Sequence, residues 1–249
     1  MCLAAHFVSD IHLVSGSDKN ATRFLQFLKS LGHDQECSHL FLLGDIFDLW
    51  LSDYRYFQEV YRLIVDSIKR LVSEGVRVHY FEGNHDLYLK KFWQEQLGVQ
   101  VHSSPWLTQL GPWKVRLEHG DQMDPTDIGY VFLRWFLRTP VVKLVFQSLP
   151  EGLLIKTGER ASRMSRIYTS GYKSQDFETA KAKMLAHGRR VFSVTPFDVL
   201  IAGHFHVHED CQVKVGEKKF RLINLGMWGE KGARVFLLNE AGGRWLDLT

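Results

Sequence analysis

Five times along this chain a short apolar run stops at a cluster of Asp, His or Asn, four times beside glycine. The clusters are Ser9-Asp10-Ile11-His12, Gly44-Asp45-Ile46-Phe47-Asp48, Gly83-Asn84-His85-Asp86, Glu118-His119-Gly120-Asp121 and Gly203-His204-Phe205-His206. Runs at 4–8, 40–43, 76–81 and 198–202 lead into four of them, and Val115-Arg116-Leu117 leads into the fifth. Each run reads as a buried strand that delivers polar residues into a loop at its C-terminal end. Open α/β sheets place their sites at such strand ends.

Helical spacing fills the gaps. Phe57, Val60, Tyr61, Ile64, Val65, Ile68, Leu71 and Val72 predict one amphipathic helix, with Gly75 as its C-cap. Residues 21–31, before Gly32, and about 174–187, before Gly188, read the same way. The last third alternates over 211–215, 219–225, 235–238 and 245–248 and predicts strands. The expected fold is α/β: two packed mixed sheets flanked by helices, in one domain spanning 1–249. The stretch from about 127 to 173 breaks the rhythm and predicts a helical insertion standing over the site. It is greasy at Val131, Phe132, Trp135, Phe136, Leu144 and Phe146, and Pro140 and Pro150 interrupt it.

That insertion is also basic. Between Tyr130 and Lys173 lie eight basic residues and two acids, a net +6 in a chain of net +3. The remaining body is therefore slightly acidic, and the segment expects an anionic partner. A basic, aromatic lid suits an amphiphilic anion, with acyl chains on the apolar residues and phosphates on Arg and Lys. An ordinary helical hairpin with solvated basic residues is the other reading. Cys2, Cys37 and Cys211 are odd in number and in no metal-type spacing. A reducing cytoplasm, without a signal peptide or membrane span, is the expectation.

The clusters carry chemistry suited to divalent cations. Asp10 and His12, two apart at a strand end, can aim at one ion. A helix N-cap beside a surface histidine would look the same. Asp45 offers two oxygens that can bridge two ions, although Gly-Asp also serves turns. Asp48 is expected to orient neighbouring groups. Asn84 offers a neutral carbonyl, and His85 beside it is left for proton work. His204 and His206 place two imidazoles on one side of a turn, and His119 adds another. His208 reads as a solvated surface residue. Oxygen and imidazole donors without cysteine favour two divalent ions, most suitably Mn²⁺, with Fe or Zn²⁺ as alternatives. Two such ions side by side imply hydrolysis at phosphorus.

In this order the five clusters resemble the calcineurin-like metallophosphoesterases, whose pattern is D-x-H, G-D-x-x-D, G-N-H-[DE], a later His and G-H-x-H. The resemblance implies that Asp10, His12 and His206 bind one metal and that Asn84, His119 and His204 bind the other. It implies that Asp45 bridges them and that His85 is the catalytic histidine. Gly44 to Trp50, His119 to Asp121, Asp127 to Tyr130, Arg134, Ser148-Leu149-Pro150 and Leu225 to Trp228 also resemble the UDP-2,3-diacylglucosamine diphosphatases of lipid A synthesis. Members of that family cleave the diphosphate to UMP and 2,3-diacylglucosamine 1-phosphate, with Mn²⁺, at the inner face of the bacterial inner membrane. The resemblance implies a nucleotide-sugar lipid partner, an anionic membrane surface and no nucleic acid. It implies substrate contacts from Asn84, His85, Asp127, Tyr130, Arg166, Lys173 and His204. His85 stands where that family usually carries Arg, so a related metallophosphoesterase acting on another nucleotide-lipid, phosphodiester or phosphomonoester is the alternative.

Overall fold

The first strand, β1 (Ala4–Val8), lies at the middle of a six-stranded sheet whose order is β13-β12-β1-β2-β4-β6. A computed structural model describes residues 3–31, 37–153, 177–229 and 232–248. In this sheet β1, β2 (His39–Leu42), β4 (Arg77–Phe81) and β6 (Gln100–His102) run parallel. The strands β12 (Ala233–Asn239) and β13 (Gly242–Leu248) pair antiparallel at one side. A second sheet has five strands in the order β10-β11-β9-β8-β7. They are β7 (Trp106–Leu110), β8 (Trp113–Leu117), β9 (Val199–Ala202), β10 (His208–Val215) and β11 (Lys218–Leu225). A short parallel pair joins β3 (Trp50–Leu51) to β5 (Asp86–Leu87).

Burial on both faces of each sheet gives four layers, as the apolar pattern predicts. Phe7, Phe41, Phe81, Leu117, Ile201 and Phe236 fill the space between the sheets. Val8, Leu42 and Tyr80 face outward and pack on Phe24, Phe27, Ile64 and Ile68 of α1 (Lys19–Ser30) and α3 (Arg62–Ser73). On the far side, Leu200, Phe220 and Leu222 pack on Met184 and Phe192 of α6 (Phe177–Val194). Asp18 caps α1, its carboxylate accepting the Ala21 amide at 2.8 Å.

Two helices differ from the sequence reading. The single helix expected through 57–72 is two, α2 (Arg55–Val60) and α3, broken at Tyr61. The Tyr61 hydroxyl donates to the Leu13 carbonyl at 2.7 Å, so a tertiary bond fixes the break that an apolar stripe cannot reveal. Helix α6 continues through Gly188 to Val194. Gly188 is a packing position: a Cβ there would lie 2.9 Å from the Phe220 ring. Residues 174–176 lie outside the described residues.

The insertion forms α4 (Ile128–Leu137) and α5 (Pro140–Ser148), each with a side-chain N-cap, Asp127 and Thr139. The rest of this stretch, 154–173, lies outside the described residues. Its described part is tied to the body through polar anchors. Tyr54 Oη donates to the carbonyls of Phe146 and Leu149, the latter at 3.0 Å, and Tyr88 Oη donates to that of Leu137. Glu151 accepts the Tyr56 amide at 2.7 Å. Leu137, Phe146 and Leu149 pack against the core, but many of the lid's apolar residues face outward: Ile128, Val141 and Leu144 are 77%, 73% and 64% exposed.

Candidate metal centre

The parallel strands β1, β2 and β4 of one sheet and β8 and β9 of the other all end at one edge, which brings the five clusters together. Asp10 and His12 follow β1, Asp45 follows β2, Asn84 and His85 follow β4, His119 follows β8, and His204 and His206 follow β9. The backbone there is strained. Asp10, His12, Asp45, His204 and His206 have φ between 50° and 71°, in the left-handed region that side chains disfavour. Two other non-glycine residues, Ser52 and Tyr88, share that property among the described residues. Strain concentrated at polar strand ends marks a functional site. Gly44 makes room for it: φ is +87°, and a Cβ there would lie 2.4 Å from His119 Nδ1.

Ligand atoms of three triplets lie within 4.8 Å of one another: Asp10–His12–His206, His12–Asp45–His85 and Asp45–His119–His204. Nε2 of His12 faces Nε2 of His206 at 3.2 Å, and Asp10 Oδ1 lies 3.4 Å from the latter. His119 Nδ1 meets the Leu43 carbonyl at 2.8 Å and so carries the proton there. Its Nε2 then aims a lone pair at two acceptors, Asn84 Oδ1 at 3.2 Å and Asp45 Oδ2 at 3.5 Å. Lone pairs converge in this way only around a proton or a cation. Burial alone would lower the His119 pKa, but Asp45, Asp10 and Asp121 raise it to about 9. A divalent ion would do the work of that proton, so the donor set fits such ions. Burial lowers His12 to about 4, and burial and the His119 charge lower His204 to about 4, leaving neutral imidazoles ready to ligate. Burial works against ionisation of Asp10 and Asp45. The His206 hydrogen bond holds Asp10 below the usual carboxylate range, and above all the His119 charge holds Asp45 there.

Neighbouring groups fix these candidate ligands. Asp45 Oδ1 accepts the amides of Asn84 and His85, each at 2.9 Å. Asp10 accepts the His204 amide at 2.9 and 3.1 Å. His85 Nδ1 meets the Asp48 carbonyl at 2.8 Å, which leaves Nε2 pointing to the centre. Asp48 thus orients His85 through its backbone.

Tyr130 reaches the centre from the lid, its ring 5.8 Å from that of His204 and its hydroxyl 3.2 Å from Asp121. Asp127 is exposed and caps α4 through the Tyr130 amide at 2.9 Å. Arg166 and Lys173 lie outside the described residues. His208 opens β10, exposed, with its ring edge-on to Trp245.

Three residues were not singled out in the sequence. Asp86 accepts the amides of Gly83, Asp45 and Ile46 at 2.7, 3.1 and 3.0 Å and the Tyr80 hydroxyl at 2.6 Å. Burial and Asp45 raise its pKa to about 6. Glu118 binds His187 of α6 at 2.7 Å behind His119. Both acids stand inside the clusters, but only the fold reveals what they hold. Arg138 reaches the Gly83 carbonyl at 3.4 Å.

The family model for calcineurin-like phosphoesterases matches residues 5–208. The chain belongs to the calcineurin-like phosphoesterase family. It is a metal-dependent phosphoester hydrolase by that membership. Its curated relatives include UDP-2,3-diacylglucosamine hydrolase of Stenotrophomonas maltophilia (strain K279a), 29% identical over 97% of this chain and 96% of that one. The enzyme of that name from Pseudomonas savastanoi pv. phaseolicola is 28% identical over 90% and 88%. That from Haemophilus influenzae (strain PittGG) is 25% identical over 96% of each. No described helix is long and apolar enough to cross a membrane.

Proposed function

We propose that this phosphoesterase hydrolyses the diphosphate of UDP-2,3-diacylglucosamine to UMP and 2,3-diacylglucosamine 1-phosphate. The observation that carries the substrate is the lid. Its exposed Phe132, Trp135, Val141 and Leu144 stand beside a cavity of about 610 Å³ that reaches from Trp135 and Val131 to Asp121. An acyl chain and a phosphate can therefore be held by one surface. The curated relatives named for this substrate support the same reading.

Asp10, His12 and His206 would hold one divalent ion, and Asn84, His119 and His204 the other, with Asp45 between them. Mn²⁺ suits the Asp, Asn and His donors best, with Fe or Zn²⁺ as alternatives. When bound, such ions lower the pKa of water and offset charge on phosphoryl oxygens. Asn84 and His204 also border the phosphoryl group. His85, held by its Nδ1–H donating to the Asp48 carbonyl, would act in its doubly protonated form, giving the Nε2 proton to the leaving oxygen as that bond breaks and keeping the one on Nδ1. Tyr130 lines the lid side, and Asp127, Arg166 and Lys173 complete the proposed substrate contacts. The apolar lid face would rest on the anionic inner face of the bacterial inner membrane, with the body in the cytoplasm.

Purified protein given Mn²⁺ and UDP-2,3-diacylglucosamine in mixed micelles should release UMP, followed by chromatography. No UMP at high enzyme concentration would remove this substrate. A second reading, hydrolysis of another phosphoester, follows from His85, which stands where the diacylglucosamine diphosphatases usually carry Arg. Turnover of aryl phosphodiesters with the lipid ignored would favour it.

A further inference from the structure

Two arginines of α4 and its C-terminus face the cavity beside the metal centre, and they differ in what they already bind. Arg134 is committed: its Nε lies 2.5 Å from the buried Asp121 carboxylate. Arg138 is not. Among the described residues no carboxylate forms an ion pair with it, and its one hydrogen bond is the long contact to the Gly83 carbonyl at 3.4 Å. Its Nε is buried without a partner. A guanidinium carries five N–H donors in a fixed fork, and burying one unpaired is unfavourable. Arg138 therefore stands ready for an acceptor that the described residues do not supply.

Its position says what that acceptor is. Gly83 precedes Asn84, whose amide donates to Asp45 Oδ1 at 2.9 Å, so Arg138 reaches within one residue of the proposed metal bridge. It also lines the cavity with Trp135 and Val131. A phosphoryl group at the metal centre and an apolar group along the lid would have Arg138 between them. The chemistry that fits a forked cation there is a second phosphate.

We propose that Arg138 binds the second phosphate of a diphosphate, the one not attacked, and so makes the site select diphosphates over monophosphates. This rests on the proposed reading of the metal centre as the place of phosphoryl attack. No bond forms or breaks at Arg138.

The test is titration calorimetry of UDP and UMP against Mn²⁺-loaded protein, because the uridine cancels in the ratio of the two dissociation constants. Wild type should bind UDP more tightly than UMP. In Arg138→Met the preference should fall roughly 10- to 100-fold, the usual worth of hydrogen bonds to a charged group. Bound Mn²⁺ per chain, measured on the same samples, should be unchanged. An unchanged UDP preference in Arg138→Met would overturn the proposal. If the melting temperature also fell, it would mark Arg138 as only a latch between lid and Gly83. A wild type that binds UDP no better than UMP would overturn it too. Arg138→Gln gives the same readings if the Met variant does not fold. Failure to release UMP from UDP-2,3-diacylglucosamine would count against that substrate alone, since the binding ratio decides Arg138 separately.

Discussion

Asp86 stands directly behind Asp45, its two carboxylate oxygens accepting the amides of Asp45 at 3.1 Å and Ile46 at 3.0 Å. The same carboxylate takes the Gly83 amide and the Tyr80 hydroxyl. Two loops that carry proposed ligands thus hang on one fully buried acid. Asp86→Asn keeps the size but turns one acceptor into a donor facing donors. It should cost about 2–4 kcal/mol of stability, read by urea unfolding, and should weaken Mn²⁺ binding. A variant as stable as wild type with full metal content would show that the loops hold themselves.

His85 and the proposed ligands should separate in their effects. His85→Ala should lower kcat by about 10²- to 10⁴-fold with metal content intact, if it acts on the proton. It forms a triplet of candidate ligands with His12 and Asp45, so a parallel loss of metal would make it a ligand instead. Asp45→Ala should lower both metal content and activity. His208→Ala, on the exposed start of β10, should change neither by more than about twofold.

A histidine pair away from the metals predicts acid sensitivity. His79 Nδ1 lies 3.1 Å from His102 Nε2, and the His79 ring stacks on Phe41 at 4.6 Å and Trp106 at 5.1 Å. Burial, then the His102 charge, lowers the His79 pKa to about 3. The unfolded chain binds this proton near pH 6.5 and the folded chain near pH 3. Stability is therefore full above pH 6.5 and falls as pH drops toward 3, by roughly 2–4 kcal/mol from this residue. His79→Phe should flatten the fall of melting temperature between pH 6.5 and 4. An equally steep fall would assign the acid sensitivity to other groups.

The lid should be the membrane-facing surface. Trp135→Glu places a charge on an outward face that is 63% exposed in the folded protein. Co-sedimentation with vesicles containing anionic lipid should drop several-fold, with little change in melting temperature. Equal sedimentation would place the membrane contact elsewhere.

Much of this was legible because strand ends carry both signals at once. An apolar run that stops at Asp10 or His204 states burial and polar chemistry in adjacent residues, so the sheets and the convergence of the five clusters read together. The break at Tyr61 did not, because its cause is a carbonyl 48 residues away. Nor did the role of Asp86, since a hub carboxylate looks like any turn aspartate until its four donors surround it. Gly188 reads as a helix stop from local preference, whereas Phe220 across the interface makes it a packing site. The lid's helices follow from its composition, but the different states of Arg134 and Arg138 depend on which one Asp121 reaches.

Electron paramagnetic resonance of the Mn²⁺-reconstituted protein, with bound metal counted on the same sample, tests the central claim most directly. Two ions per chain with a spin-coupled signal, lost in Asp45→Ala, are the result expected of two metals sharing that carboxylate. One ion per chain with an isolated Mn²⁺ spectrum, unchanged in Asp45→Ala, would contradict it.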